Sequence, residues 1–117
     1  MKYPKEYIEE IKEFQTLVDE QNKIINNSEF YFIAEIGHNH QGEIEKAFEL
    51  IRKAKEAGAN AVKLQKRDNK SLYTKIFFNE KYDNSNSYGE TYGLHREALE
   101  FGKKEYKELQ AFAKEIN

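Results

Sequence analysis

Apolar positions along the chain follow two spacings. Across residues 4–25, Tyr7, Ile11, Phe14 and Val18 recur at helical spacing with Ile8 and Leu17 beside them, which predicts one amphipathic helix. Pro4 suits a first-turn position, where its missing N–H is not needed. Glu6, Glu9 and Glu10 favour the positive end of the helix dipole. Asn26, Asn27 and Ser28 read as a linker. The period then changes. Phe30, Tyr31, Phe32 and Ile33 form a continuous apolar run, which predicts a strand over 30–36 that is covered on both faces. Alternation places Tyr31, Ile33 and Glu35 on one face and Phe32, Ala34 and Ile36 on the other. Helical spacing returns over 43–57, with Ile44, Ala47, Phe48, Ile51 and Ala54 as the buried stripe. Gly58 ends that helix in the left-handed cap position. Residues 61–65 read as a second strand, with Val62 and Leu64 on one face and Lys63 and Gln65 on the other.

A strand, a helix and a strand within about 35 residues make a βαβ unit with parallel neighbouring strands. If Phe32, Ala34, Val62 and Leu64 face the helices, Glu35 and Lys63 share the opposite side. A lone charge there is unfavourable, so the two should lie near each other or near a charged ligand. Residues 66–93 have no clear period. Tyr73, Phe77, Phe78, Tyr82, Tyr88 and Tyr92 within them suggest an ordered flap, since a loop this long in a compact domain is usually functional or disordered. Residues 94–101 suit a short helical turn. A further helix is predicted over 103–116, with Tyr106, Leu109, Ala113 and Ile116 on one face and Phe112 beside it.

Two βα units make a poor closed core, whereas a (β/α)8 barrel takes eight, roughly 250 residues. The expected fold class is therefore α/β: a partial TIM (β/α)8 barrel holding the first two βα units plus an N-terminal helix. Residues 1–27 are expected to form a helical extension and 28–117 the barrel portion. A third strand would be due after Asn117.

Composition narrows the function classes. The chain has 117 residues, 38% hydrophobic and 34% charged, which suits one small, polar domain. Aromatics at 14% argue against disorder. A formal net charge of −2 offers no bulk attraction to nucleic acid or to a membrane surface. There is no cysteine, hence no disulfide and no thiolate metal site. The N-terminus leads into a charged segment, and no run is long enough to span a bilayer. The expected location is cytoplasmic.

The candidate chemistry sits in 31–42, Tyr-Phe-Ile-Ala-Glu-Ile-Gly-His-Asn-His-Gln-Gly. A buried strand ending in polar residues at a strand-to-helix turn is where α/β proteins place their sites. Lys63 suits a phosphate, as a strongly hydrated point charge with three donors. It would otherwise snorkel from a strand end. Glu35 suits acid/base work or orientation of water, or serves as a structural partner of Lys63. His38 and His40 are two imidazoles with no third ligand at metal spacing, so they are read without a metal role. Asn39 and His40 are assigned to substrate contact or loop structure. Gly37 and Gly42 do not match a dinucleotide or Walker spacing. His95 and Arg96 could reach a carboxylate or phosphate, or begin a solvated helix.

At these residues the chain resembles the N-acetylneuraminate (sialic acid) synthase family and its legionaminate, pseudaminate and spore-coat relatives. The resemblance rests on Ile33 to Gly42 and on Ala54 to Gln65. Weaker matches follow at Tyr88-Gly89-Glu90, at His95-Arg96-Glu97 with Leu99-Glu100-Phe101, and at Ala113-Lys114-Glu115. It covers about residues 30–117 and implies a TIM barrel followed by a small antifreeze-like domain. The implied activity is condensation of phosphoenolpyruvate (PEP) with N-acetylmannosamine or a related amino sugar, assisted by Mn²⁺ or Mg²⁺. Carried over by position, Glu35 matches the first-strand catalytic glutamate and Lys63 the lysine that contacts PEP. Asn39, His40 and Gln65 match substrate-binding positions near the mouth. The family's metal-binding histidines match nothing in this chain, so activity of these 117 residues alone is not expected. The alternative is a non-catalytic truncated paralogue, or an interaction module that forms a homo-oligomer or pairs with a complementary chain.

Overall fold

A computed structural model describes residues 3–14, 19–20, 23 and 31–117. Helix α1 (Lys5–Glu13) precedes strand β1 (Ile33–Gly37), helix α2 (Ile44–Glu56) and strand β2 (Ala61–Leu64). Two single turns follow, α3 (Asn69–Leu72) and α4 (Lys75–Phe78). Helices α5 (Tyr92–Ala98) and α6 (Lys103–Glu115) complete the order. The two strands form one parallel sheet.

Local chemistry explains the boundaries. Helix α2 closes through Gly58, whose φ is +92°. Its N–H reaches the Lys55 carbonyl and the Ala59 N–H reaches the Ala54 carbonyl, both at 3.0 Å, the paired bonds of a Schellman cap. Asn60 then starts the sheet: its Oδ1 accepts from the Phe32 N–H at 2.8 Å. The short helices begin at side-chain caps. Thr74 Oγ1 accepts from the Phe77 N–H and Thr91 Oγ1 from the Leu94 N–H, each at 3.2 Å, satisfying donors that a helix start leaves open. Helix α6 is tied by Glu105 Oε2, which accepts from the Gly102 N–H at 2.9 Å.

The core lies between the sheet and the long helices. Ile8 and Ile11 of α1, Ile36 of β1, Phe48 and Ile51 of α2, and Leu109 and Phe112 of α6 form one buried cluster. Val62 and Leu64 pack on it from β2. Phe48 and Phe112 meet edge to face at 5.2 Å, and Tyr3 packs on Phe112 at 5.0 Å. Each fully buried phenylalanine contributes about 1.5–3 kcal/mol from area alone. Arg52 joins α1 to α2: Nη1 lies 2.6 Å from Glu10 and 2.8 Å from Glu56, beneath the Tyr7 ring.

Two features differ from the sequence reading. The described part of α1 stops at Glu13, with Phe14 exposed at its cap. Val18 and the Asn26–Ser28 linker lie outside the described residues. Strand β1 runs Ile33–Gly37 instead of 30–36. Tyr31 and Phe32 precede it and are exposed, and within it Ile33 is exposed while Ile36 on the other face is buried, because the described helices pack on the Ile36 side only. Residues 66–93 are an ordered flap. Lys81 bridges antiparallel to Thr91, and Tyr73, Phe77, Tyr82 and Tyr92 stack into one aromatic group. Gly93 lets the Phe78 ring lie against α5, since a Cβ there would sit 2.2 Å from Phe78 Cγ.

Candidate functional site

Register brings the two charged strand residues together. Glu35 pairs directly with Lys63, and an irregularity between Glu35 and Gly37 then matches Gly37 to Leu64. Lys63 Nζ lies 3.2 Å from Glu35 Oε2, with 64% and 49% of the two side chains exposed. An exposed pair of this kind adds little stability. Its ammonium therefore remains able to take a different anion.

The turn after β1 is held from within. Gly37, with φ +56°, turns the chain, and the Asn39 N–H returns to the Ile36 carbonyl at 3.0 Å. Asn39 is exposed. His40 is fully buried and stacks on Phe101 with centroids 3.9 Å apart. His40 Nδ1 accepts from the Gly42 N–H at 3.0 Å, which assigns the proton to Nε2. That atom is buried with no hydrogen-bond partner among the described residues. Burial, then the nearby His38, pushes the His40 pKa down to about 4 against a partial pull from Glu100.

Gln65 follows β2 directly. Its carbonyl accepts from Tyr106 Oη at 2.8 Å and from His38 Nε2 at 3.1 Å. Its Oε1 accepts from Arg67 Nη2 at 2.9 Å. Beside it lies Glu100, a residue the sequence reading placed only in a weak motif match. The Glu100 side chain is 7% exposed and receives Lys66 Nζ at 2.8 Å and the Arg67 N–H at 3.2 Å. His38 Nε2 is 3.1 Å from Glu100 Oε1 but directs its proton to the Gln65 carbonyl, so this contact is electrostatic. The hydrogen bond to Glu100 is the largest influence on Lys66 and raises its pKa. One buried carboxylate thus ties the exits of both strands to the start of α6. Its partners stand 33 and 34 residues away in sequence, so no local spacing could have revealed it.

The structure therefore brings Glu35 to Lys63 and Gln65 to the His38 turn, while Asn39 is exposed and His40 supports the turn from beneath. Among the described residues no group of three or more His, Cys, Asp or Glu is placed to hold a metal ion. None of their helices is long and apolar enough to cross a membrane.

A parallel βαβ unit with a carboxylate and an ammonium paired on neighbouring strands, next to the turns at their C-terminal ends, belongs to the α/β class. The NeuB family model matches residues 50–117. N-acetylneuraminate-9-phosphate synthase of Drosophila melanogaster is 47% identical over 87 residues, 74% of this chain and 23% of that protein. The synthases of the same name from Mus musculus and Homo sapiens are 45% and 42% identical over 86 residues, 74% of this chain and 24% of each relative. The chain belongs to the NeuB family, the sialic acid synthases. It spans about a quarter of the length of these relatives. No solved structure matches it.

Proposed function

We propose that the chain is the N-terminal part of a sialic-acid-type synthase barrel, which condenses PEP with N-acetylmannosamine or a related amino sugar in the cytoplasm. The observation that carries this reading is the Glu35–Lys63 pair on adjacent parallel strands, together with the family membership. In the reaction, C3 of PEP bonds to the aldehyde carbon of the sugar. Water adds to C2, the phosphate leaves, and a 2-keto acid remains. Lys63 meets the PEP anion as a compact charge with three donors. Glu35 holds that ammonium in place before PEP arrives. Once PEP takes Lys63, the freed carboxylate orients the attacking water and accepts its proton. Exposed Asn39 and the Gln65 side chain contact substrate, and buried His40 keeps the Asn39 turn in shape. The divalent cation expected of the family does not fit the described residues, so its ligands would come from elsewhere and no step here passes through it.

Calorimetric titration with PEP tests the assignment. Lys63→Gln should weaken PEP binding about tenfold or more, the worth of a charge-assisted hydrogen bond. Equal affinity in both proteins would remove Lys63 from the site.

Exposure of Tyr31 and Ile33 on the strand face favours a second reading: a module completed by a complementary chain or a second copy. Gel filtration with a PEP-dependent assay separates the two, since a monomer that turns over rejects the module.

A further inference from the structure

Gln65 is held from three sides. Its carbonyl accepts from Tyr106 Oη at 2.8 Å and from His38 Nε2 at 3.1 Å, which occupies both lone pairs of that oxygen. Its side-chain Oε1 accepts from Arg67 Nη2 at 2.9 Å. Tyr106 stands on α6 and His38 on the turn after β1, so two other elements fix the backbone from which the Gln65 side chain starts. Arg67 is anchored in turn, because its backbone N–H donates to the buried Glu100 Oε2 at 3.2 Å.

The contact with Arg67 decides which way the amide faces. The oxygen and nitrogen of a glutamine amide have nearly the same shape, and hydrogen bonding alone separates the two orientations. A guanidinium has five N–H donors and no acceptor. The amide therefore places its oxygen beside Arg67, and its nitrogen takes the opposite side. Among the described residues nothing accepts from Gln65 Nε2. Two N–H donors are thus left open on a half-buried side chain whose backbone is already fixed.

We propose that Arg67 is a positioning residue: it holds the Gln65 amide so that Gln65 meets substrate through its N–H donors and selects an acceptor oxygen there. This inference rests on the substrate contact proposed for Gln65 and adds which atoms make it and which residue sets them. Arg67 itself touches no substrate and acts through Gln65. A loose amide would lose conformational freedom on binding and would offer its oxygen in one of its two orientations. The clamp removes both losses before substrate arrives.

NMR relaxation of Gln65 Nε2 in the full chain without substrate tests the clamp. The amide should be rigid in wild type, mobile in Arg67→Met and close to wild type in Arg67→Lys, which keeps a donor. A mobile wild-type amide overturns the clamp. Titration with PEP and with N-acetylmannosamine, each alone, then reads the contact. The two Nε2 proton signals should move with one of these probes, and signals that stay fixed with both overturn the contact. With that probe, calorimetry should show Arg67→Met binding about two- to tenfold more weakly, with Arg67→Lys nearer to wild type. In a Gln65→Met background, Arg67→Met should weaken binding no further. An equal drop in both backgrounds overturns the positioning role, because Arg67 would then attract substrate by its own charge. The wild-type relaxation and titration decide even if a variant does not fold. Lys63→Gln in the same assay keeps the two ideas apart: lost PEP binding upholds the Lys63 reading whatever Gln65 does.

Discussion

His40 makes stability depend on pH in a way that can be isolated. Its ring is fully buried, stacked on Phe101, and accepts the Gly42 N–H at Nδ1. Protonation would place a hydrogen on that acceptor and a charge in the core. The folded pKa is about 4 against an ordinary 6.5. Between those values the unfolded chain binds the proton and the folded chain does not. Stability from this group is complete above pH 6.5 and is lost as the pH falls toward 4. At roughly 1.4 kcal/mol per pH unit, the whole loss is about 3 kcal/mol. About 2 kcal/mol of it should appear between pH 7 and pH 5. His40→Asn puts Oδ1 where Nδ1 stands, keeps an acceptor for the Gly42 N–H and cannot take the charge. Urea unfolding followed by circular dichroism at the two pH values should therefore show wild type losing about 2 kcal/mol more than the variant. His95, whose pKa is lowered by burial and then by Arg96, adds a loss of the same sign to both proteins and cancels in the comparison. Parallel losses in the two proteins would refute the burial argument.

Glu100→Gln should weaken the tie between the two strand exits by about 1–3 kcal/mol. It should also let the Lys66 pKa fall back toward its ordinary value, read by denaturant unfolding and by NMR titration of the Lys66 ammonium. An unchanged Lys66 titration would reject Glu100 as its partner. Gly42→Ala should destabilise by about 3 kcal/mol in thermal unfolding, because φ there is +77° and the new Cβ would lie 2.2 Å from the Ala98 carbonyl oxygen. A change under about 1 kcal/mol would mean the α5 end moves aside at little cost.

Much of this arrangement was legible where apolar periodicity was long. Helices α2 and α6 run 13 residues each, enough turns for a stripe such as Ile44, Ala47, Phe48 and Ile51 to stand out. Period-two alternation put Glu35 and Lys63 on one face, and the parallel register placed them opposite each other. Turns α3 and α4 span four residues each, too few for any period. Their side-chain caps, Asp68 accepting from the Ser71 N–H and Thr74 from the Phe77 N–H, are local features that the absence of a period hid. The run from Tyr31 to Ile33 suggested burial on both sides, but hydrophobicity alone does not say whether a second layer exists. His40 was read as a residue near the mouth, and its burial under Phe101 depends on a partner 61 positions further along the chain. Glu100 was obscure for the same reason.

The central claim is that PEP is held at the strand pair. A crystal structure of the chain with PEP bound tests it most directly. The account predicts a phosphate or carboxylate oxygen of PEP within hydrogen-bond distance of Lys63 Nζ, with Glu35 displaced from its 3.2 Å contact. PEP bound elsewhere, with the Glu35–Lys63 contact intact, would contradict it.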